Sequence, residues 1–141
     1  MTRFAARLLF APTLMVAFAV LVKGYATTGD GFAAGVIAAL AFVMQFVAFG
    51  ERDVRDLLHT RYAPWVAVSG LALSLALTFI PVARGEAPLT HEPAPGASVV
   101  HLGSIELITA FAFDIGVFLL VTGFSVTAIS LLARAEHRGR R

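Results

Sequence analysis

The sequence contains no cysteine, only one tryptophan and few charged residues. The lack of cysteine excludes disulfide bonds, thiolate-held iron–sulfur clusters and covalently attached c-type haem. Asp, Glu, Lys and Arg make up 14% of the 141 residues, whereas average soluble domains contain about 25%. With 58% hydrophobic residues and a mean hydropathy of +0.82, the chain has the composition of a membrane protein.

Four apolar stretches contain no Asp, Glu, Lys or Arg: residues 8–22, 31–50, 62–83 and 115–133. About 20 apolar residues cross the hydrocarbon core as a helix, and a helix pairs its backbone groups internally where water is absent. The sequence therefore predicts an all-α integral membrane protein. Residues 1–141 form a single membrane domain with four transmembrane helices, expected at about 5–23, 31–50, 62–83 and 104–133.

Basic residues are concentrated on one side of the predicted spans. Nine of the eleven flank the N-terminus, the loop between spans two and three, or the C-terminus, and only Lys23 and Arg84 flank the other side. The positive-inside rule then predicts that both termini and the middle loop are cytoplasmic. Because topology already explains these positions, the basic charge does not indicate a nucleic-acid partner.

The first span has a second interpretation, as a cleaved secretory signal. Arg3 and Arg7 precede an apolar run that reaches an A-x-A pattern at residues 17–19, which is typical of such signals. The run continues to Val22, however, which favours a retained helix.

The loop between spans two and three predicts a short helix lying at the cytoplasmic interface. Within residues 51–62, Glu51 pairs with Arg55 and Arg52 with Asp56 at i,i+4 spacing. Such pairs stabilise a helix surface, and an amphipathic segment of this kind lies in the interface plane.

One acidic residue, Asp114, lies inside the fourth hydrophobic segment. A charged side chain at the bilayer centre costs about 2.5–3.5 kcal/mol by insertion scales, so an acid there is a functional hypothesis by default. Two placements are open. If the span covers residues 115–133, Asp114 marks the outer interface; if it starts near Ile105 and tilts, Asp114 is buried and needs a partner or a water-filled cavity. Glu106 lies about 12 Å along the same helix, and Val121 shares the stripe of Asp114.

The start of span two carries a second informative pattern. Asp30 is placed to act as an N-cap, and Gly31 with Gly35 forms a G-x-x-x-G that lets two helices approach closely. Gln45 is the one strongly polar residue within this span and is expected to bond to a neighbouring helix. Hydroxyls in span four are expected to bond to the carbonyl one turn back.

Three segments of the chain carry a family resemblance: a Gly-x-Gly-Phe-x-x-Gly turn at 29–35, Ala-Phe-Gly at 48–50, and residues 106–123 with Phe-Asp-Ile-Gly-Val at 113–117. In these segments the chain resembles the B subunit of Mrp-type (Mnh-type) multisubunit sodium/proton antiporters. The resemblance implies a four-helix component of a hetero-oligomeric complex in the bacterial plasma membrane. It also implies the other antiporter subunits and the lipid bilayer as partners, and Na⁺ and H⁺ as transported ions. No cofactor or bound metal is expected, because the histidines match no standard zinc spacing and lie outside the predicted membrane core.

The main hypothesis is a transporter subunit, not an enzyme, which supports assembly and lines a cation path with Asp114, helped by Glu106 and Thr109. A carboxylate suits this role because Na⁺ prefers hard oxygen ligands. The polar segments contain no nucleophile–base pair, so catalysis is not expected. Three alternatives remain: a purely structural subunit without ion contact, a membrane subunit of a related membrane-bound hydrogenase, and a small standalone channel or exporter.

Overall fold

The computed structural model describes residues 2–23, 29–50, 53–54, 60–83, 85 and 103–139, except for the side chains of residues 81, 103–109 and 136–139. The described residues form four α-helices: α1 (Thr2–Lys23), α2 (Asp30–Phe49), α3 (Ala63–Ala83) and α4 (Gly103–Gly139). A 3-10 turn at Thr60–Tyr62 leads into α3. Each helix is long and apolar enough to cross a membrane, which confirms the predicted all-α architecture with four spans.

The segment predicted as an interfacial helix is described only in part. Asp53 and Val54 are helical, and residues 51–52 and 55–59 lie outside the described residues, so the interfacial helix stays a prediction. Val54 is buried in an apolar cluster with Phe46, Ala63 and Val126. This short connection is thereby anchored to α2, α3 and α4 together.

The helices pack in the spatial order α1, α2, α4, α3. Neighbours α1 and α2 are antiparallel, since Phe10 makes an edge-to-face contact with Phe42 and the guanidinium of Arg7 lies over the ring of Phe49. Helices α2 and α4 run parallel, because the contacts advance from Gly31 beside Asp114 to Gly35 beside Val121. Helix α4 has α2 on one face and α3 on another.

Small residues set the spacing between α3 and α4. A Cβ on Gly70 would lie 2.5 Å from the carbonyl oxygen of Gly116, and a Cβ on Gly123 would lie 2.6 Å from the backbone nitrogen of Ala67. The helices run antiparallel at nearly backbone-to-backbone distance. In a bilayer, where hydrophobic transfer adds little between helices, such close packing is a main source of association.

One hydrogen bond joins α1 to α2 inside the bundle. Gln45 is 5% exposed, and its Nε2 donates to the carbonyl oxygen of Ala6 at 2.7 Å. This confirms that Gln45 bonds to a neighbouring helix. The bond fixes the register of α1, whose fully buried residues are Ala6, Ala17 and Leu21.

Arginines gather at one end of the four-helix bundle, called here the basic end. Arg3 and Arg7 lie over the ring of Phe49, where α1 begins and α2 ends. Arg61 precedes α3, and Arg134 is in the last turns of α4. Lys23 is at the opposite end. The fold thus brings together basic residues that are far apart in sequence, at the end predicted to be cytoplasmic.

Candidate functional site

The site predicted around Asp114 lies where α4 crosses the first turn of α2. A Cβ added to Gly31 would overlap the backbone oxygen of Asp114, and one added to Gly35 would lie 2.9 Å from Cβ of Val121. The two glycines of the G-x-x-x-G therefore lie where α2 and α4 approach most closely. Any larger side chain at Gly31 would push the start of α2 away from Asp114.

The N-terminus of α2 is built on Gly29 and not on Asp30. Gly29 takes the N-cap position with φ of 111° and has no side chain to cap the helix, while Asp30 is the first residue of α2. Asp30 thus does not occupy the N-cap position predicted for it. A left-handed residue is needed at this turn, and glycine adopts that conformation without steric penalty.

The carboxylate of Asp114, on α4, supplies the hydrogen-bond acceptor that the N-cap residue Gly29 cannot provide from a side chain of its own. Asp114 is 3% exposed, and its Oδ2 accepts a hydrogen bond from the backbone N–H of Gly29 at 3.3 Å. The first N–H groups of a helix have no partner within it, and negative charge there is favoured by the helix dipole. Asp114 therefore acts on α2 as a capping side chain would, across 85 positions of sequence.

A second acidic residue, Asp30, is next to this contact in the sequence of α2. Asp30 stands between Gly29 and Gly31, the two residues that contact Asp114. Its Oδ2 is buried and has no hydrogen-bond partner among the described residues. At the start of α2, the carboxylate of Asp114 is therefore bonded to a backbone N–H, and that of Asp30 has one oxygen without a partner among the described residues.

Two other predicted residues, Glu106 and Thr109, belong to α4, but their side chains lie outside the described part of the chain. Their place along a cation path stays a prediction. The described residues contain no group of three or more His, Cys, Asp or Glu that could hold a metal ion.

Two threonine hydroxyls of α4 have different roles. Thr127 donates to the carbonyl of Gly123 one turn back at 2.7 Å, as expected. Thr122 instead donates across the contact to the carbonyl of Gly35 on α2 at 3.3 Å, so it reinforces the close approach at that glycine. Sequence spacing gives no signal for this second role, because both threonines have a carbonyl one turn back.

Sequence reasoning missed the part played by Gly29. Its functional group is a backbone N–H, which no side-chain pattern marks. The only available signal was a glycine directly before the acidic first residue of a helix, where a turn with positive φ is common.

Comparisons with known proteins place these features in a family. A family model described as a domain related to the MnhB subunit of Na⁺/H⁺ antiporter matches residues 1–127. The chain is 33% identical over 135 residues to a probable K⁺/H⁺ antiporter A/B subunit of Rhizobium meliloti, which covers 96% of this chain and 13% of that protein. It is 32% identical over 123 residues to the B subunit of a Na⁺/H⁺ antiporter of Bacillus subtilis, which covers 87% of this chain and 85% of that protein.

A third relative, a putative antiporter subunit mnhB2 of Staphylococcus epidermidis, is 28% identical over 116 residues and covers 82% of this chain and 81% of that protein. The alternative of a hydrogenase subunit is not favoured, because these relatives carry antiporter names. The chain matches nearly the whole length of the separate subunits and a small part of the long Rhizobium protein.

Proposed function

Because the chain belongs to the family of domains related to the MnhB subunit of Na⁺/H⁺ antiporters, we propose that it is the B subunit of a multisubunit cation/proton antiporter. It is a multi-pass membrane protein, and its partners are the other subunits of that complex. Its action is that of a transporter component and not of an enzyme. We further propose that Asp114 is the residue through which this subunit contacts the transported cation or proton.

The observations that support the role of Asp114 are its burial and the presence of a second acid, Asp30, as the first residue of α2. Asp114 is bonded to the N–H of Gly29, and Asp30 has a buried oxygen without a partner among the described residues. The helix dipole at this end amounts to about half a positive charge. Two ionised carboxylates carry two negative charges, so the dipole does not balance them. A cation or a proton is what would balance the remaining charge.

Glu106 and Thr109 are part of the same proposal. They precede Asp114 on α4 by about 12 Å and 8 Å of helix, on the side away from the basic end. An ion moving toward Asp114 from that side would pass along this stretch of α4. The carboxylate and the hydroxyl would supply hard oxygen ligands on the way.

The rival function is structural: Asp114 would only hold α2 in place through Gly29. One substitution separates the two functions. Asp114→Asn keeps a carbonyl oxygen that can accept from the N–H of Gly29 but removes the negative charge. Asp114→Ala removes both.

The experiment uses the whole complex. Both variants are expressed with all sibling subunits; assembly is followed on blue-native gels, and cation/proton exchange is measured in everted membrane vesicles with Na⁺ and with K⁺. We expect Asp114→Asn to assemble normally and to lose most exchange activity, and Asp114→Ala to lose activity and part of the assembly.

The control is Thr13→Val on α1, because the hydroxyl of Thr13 donates to the carbonyl of Leu9 one turn back in the same helix. It should leave assembly and exchange unchanged. A fully active Asp114→Asn variant would refute ion contact and leave the structural function. Both cations are tested because the relatives are named for both.

A further inference from the structure

Two neighbouring cavities at the basic end differ in polarity and share one residue, Thr60. The first, called here the basic cavity, has a volume of about 170 Å³ and is lined by residues that include Thr60, Arg61, Thr127, Ser130 and Arg134. The second, called here the apolar cavity, has a volume of about 140 Å³ and is lined by residues that include Thr60, Phe42, Ala63, Val66 and Val126.

Thr60 carries an unsatisfied group between the two cavities. The residue is 7% exposed, and its Oγ1 is buried without a hydrogen-bond partner among the described residues. A buried hydroxyl left without a partner costs about 1–3 kcal/mol, so such groups in folded proteins are normally satisfied by protein, water or a ligand. Because Thr60 lines the basic cavity, rotation of its side chain to another staggered rotamer would let a ligand in that cavity supply the partner.

The charged groups of the basic cavity suit an anion with several oxygens. Nη2 of Arg134 donates to Oγ of Ser130 at 3.2 Å, and Nη2 of Arg61 donates to the hydroxyl of Tyr62 at 2.5 Å. Arg134 also takes part in further interactions, but a guanidinium carries five N–H donors and can serve several acceptors. Arginine forks match the oxygens of a phosphate.

The surroundings of the cavities indicate where this anion comes from. Three residues next to the cavities are exposed: Tyr62, Trp65 and Leu131. Exposed tyrosine and tryptophan residues mark the level of the lipid headgroups. Basic pockets between transmembrane helices on the cytoplasmic side bind anionic headgroups. The basic cavity is on the end of the bundle predicted to be cytoplasmic, and the apolar cavity beside it can take hydrocarbon.

We propose that the two cavities together bind one anionic phospholipid at the junction of the Thr60–Tyr62 turn, α3 and α4. The phosphodiester accepts hydrogen bonds from the hydroxyl of Thr60 and from the guanidinium groups of Arg61 and Arg134. The first carbons of an acyl chain enter the apolar cavity. The lipid thereby completes the packing between α2, α3 and α4 at the basic end.

The test measures lipid binding by the assembled complex. The complex is purified, stripped of lipid in detergent, and titrated with dioleoyl phosphatidylglycerol or with dioleoyl phosphatidylcholine, and the bound lipid is counted by native mass spectrometry. We expect phosphatidylglycerol to bind more tightly. Each arginine contributes about a five-fold change in affinity. Because both bind the same phosphodiester, their effects are not strictly additive, and the double variant Arg61→Gln/Arg134→Gln should bind it between about 5-fold and about 25-fold more weakly.

The matched control is Arg3→Gln/Arg7→Gln, which removes two positive charges from the same end without touching either cavity. It should change the affinity by less than about two-fold, as expected for distant charges that are screened by salt. If the control weakens binding as much as the cavity variant, the attraction is general surface charge and the proposed site does not exist.

Thr60 is tested by Thr60→Val, with Thr60→Ser as the variant that keeps the hydroxyl. Thr60→Val should weaken phosphatidylglycerol binding and leave the lipid-free complex equally or more stable, whereas Thr60→Ser should bind normally. Normal lipid affinity in Thr60→Val would overturn the assignment.

Two further outcomes would also overturn it. One is displacement of the lipid by millimolar inorganic phosphate, which would identify a free anion as the ligand. The other is loss of a sibling subunit from the Arg61→Gln/Arg134→Gln complex with lipid binding unchanged, which would identify an acidic side chain of that sibling as the occupant. Neither readout depends on ion exchange, so the lipid site and the function of Asp114 can fail separately.

Discussion

Gly31 on α2 and Asp114 on α4 lie so close that a methyl group on the glycine would overlap the backbone oxygen of the aspartate. The hydrogen bond from Gly29 to the carboxylate of Asp114 depends on this approach. The packing of two helices and the position of the acidic group are therefore one structural feature.

We expect Gly31→Ala to destabilise the α2–α4 contact by about 1–3 kcal/mol, because the obstructing atoms are backbone atoms that cannot rotate away. The measurement is the temperature at which the chain leaves the complex on blue-native gels. Ala33→Ser is the control, since it adds one atom to an exposed position on the same helix. An unchanged transition in Gly31→Ala would contradict the close approach.

Gly116 and Ser74 should show coupled effects. A methyl group on Gly116 would meet the hydroxyl of Ser74 first, so Gly116→Ala should be destabilising alone and less so when combined with Ser74→Ala. The coupling should be about 1 kcal/mol in a double-mutant cycle of thermal stability. Gly70→Ala serves for comparison, because the atoms nearest to its added methyl are the backbone atoms Gly116 O and Leu120 N. Ser74→Ala should therefore not reduce the destabilisation caused by Gly70→Ala.

Replacing Gln45 tests the bond to α1. Gln45→Leu removes the donor to the carbonyl of Ala6. We expect a loss of about 0.6–1.7 kcal/mol, which runs from the average to the maximum measured for single hydrogen bonds between membrane helices. Gln45→Glu should be worse, because a carboxylate cannot donate to that carbonyl and its burial in the bilayer costs about 2.5 kcal/mol or more. A Gln45→Leu variant as stable as the wild-type chain, measured by thermal dissociation of the complex, would show that the bond does not form.

The orientation of the chain can be tested directly, because the sequence has no cysteine. Single cysteines at Thr2 and Lys23, the exposed first and last residues of α1, should react with a membrane-impermeant maleimide from opposite sides. We expect Lys23→Cys to label in intact cells and Thr2→Cys only in everted vesicles. Loss of the Thr2→Cys position from the mature protein would instead indicate that the first span is cleaved as a signal.

The number and approximate limits of the helices could be predicted because they depend on local composition. A run of apolar residues without charge determines a membrane helix wherever it occurs. The stripe through Asp114 also predicted correctly that this residue and Val121 share a face, since both contact glycines of α2. These features need only the helical repeat.

The sequence could not predict which helix packs against each face of α4, because helix–helix contacts are made by residues far apart in the chain. Gly116 and Gly123 lie on the second packed face of α4, yet glycine within a membrane helix has no unique partner in the sequence. The sequence leaves the placement of Asp114 open for the same reason. Its partner is a backbone N–H on another helix, and only the three-dimensional pairing shows it.

The parallel arrangement of α2 and α4 has a consequence for biosynthesis. Of the four helices, α4 is synthesised last, so α2 enters the membrane before α4 does. Until then the amide of Gly29 is not paired with Asp114, and the surface of α2 at Gly31 and Gly35 is not covered by α4. The bundle can close only after α4 has been inserted. Cellular proteases that survey newly inserted proteins would therefore encounter any chain truncated before α4 as an unfinished bundle, before it could join a transport complex.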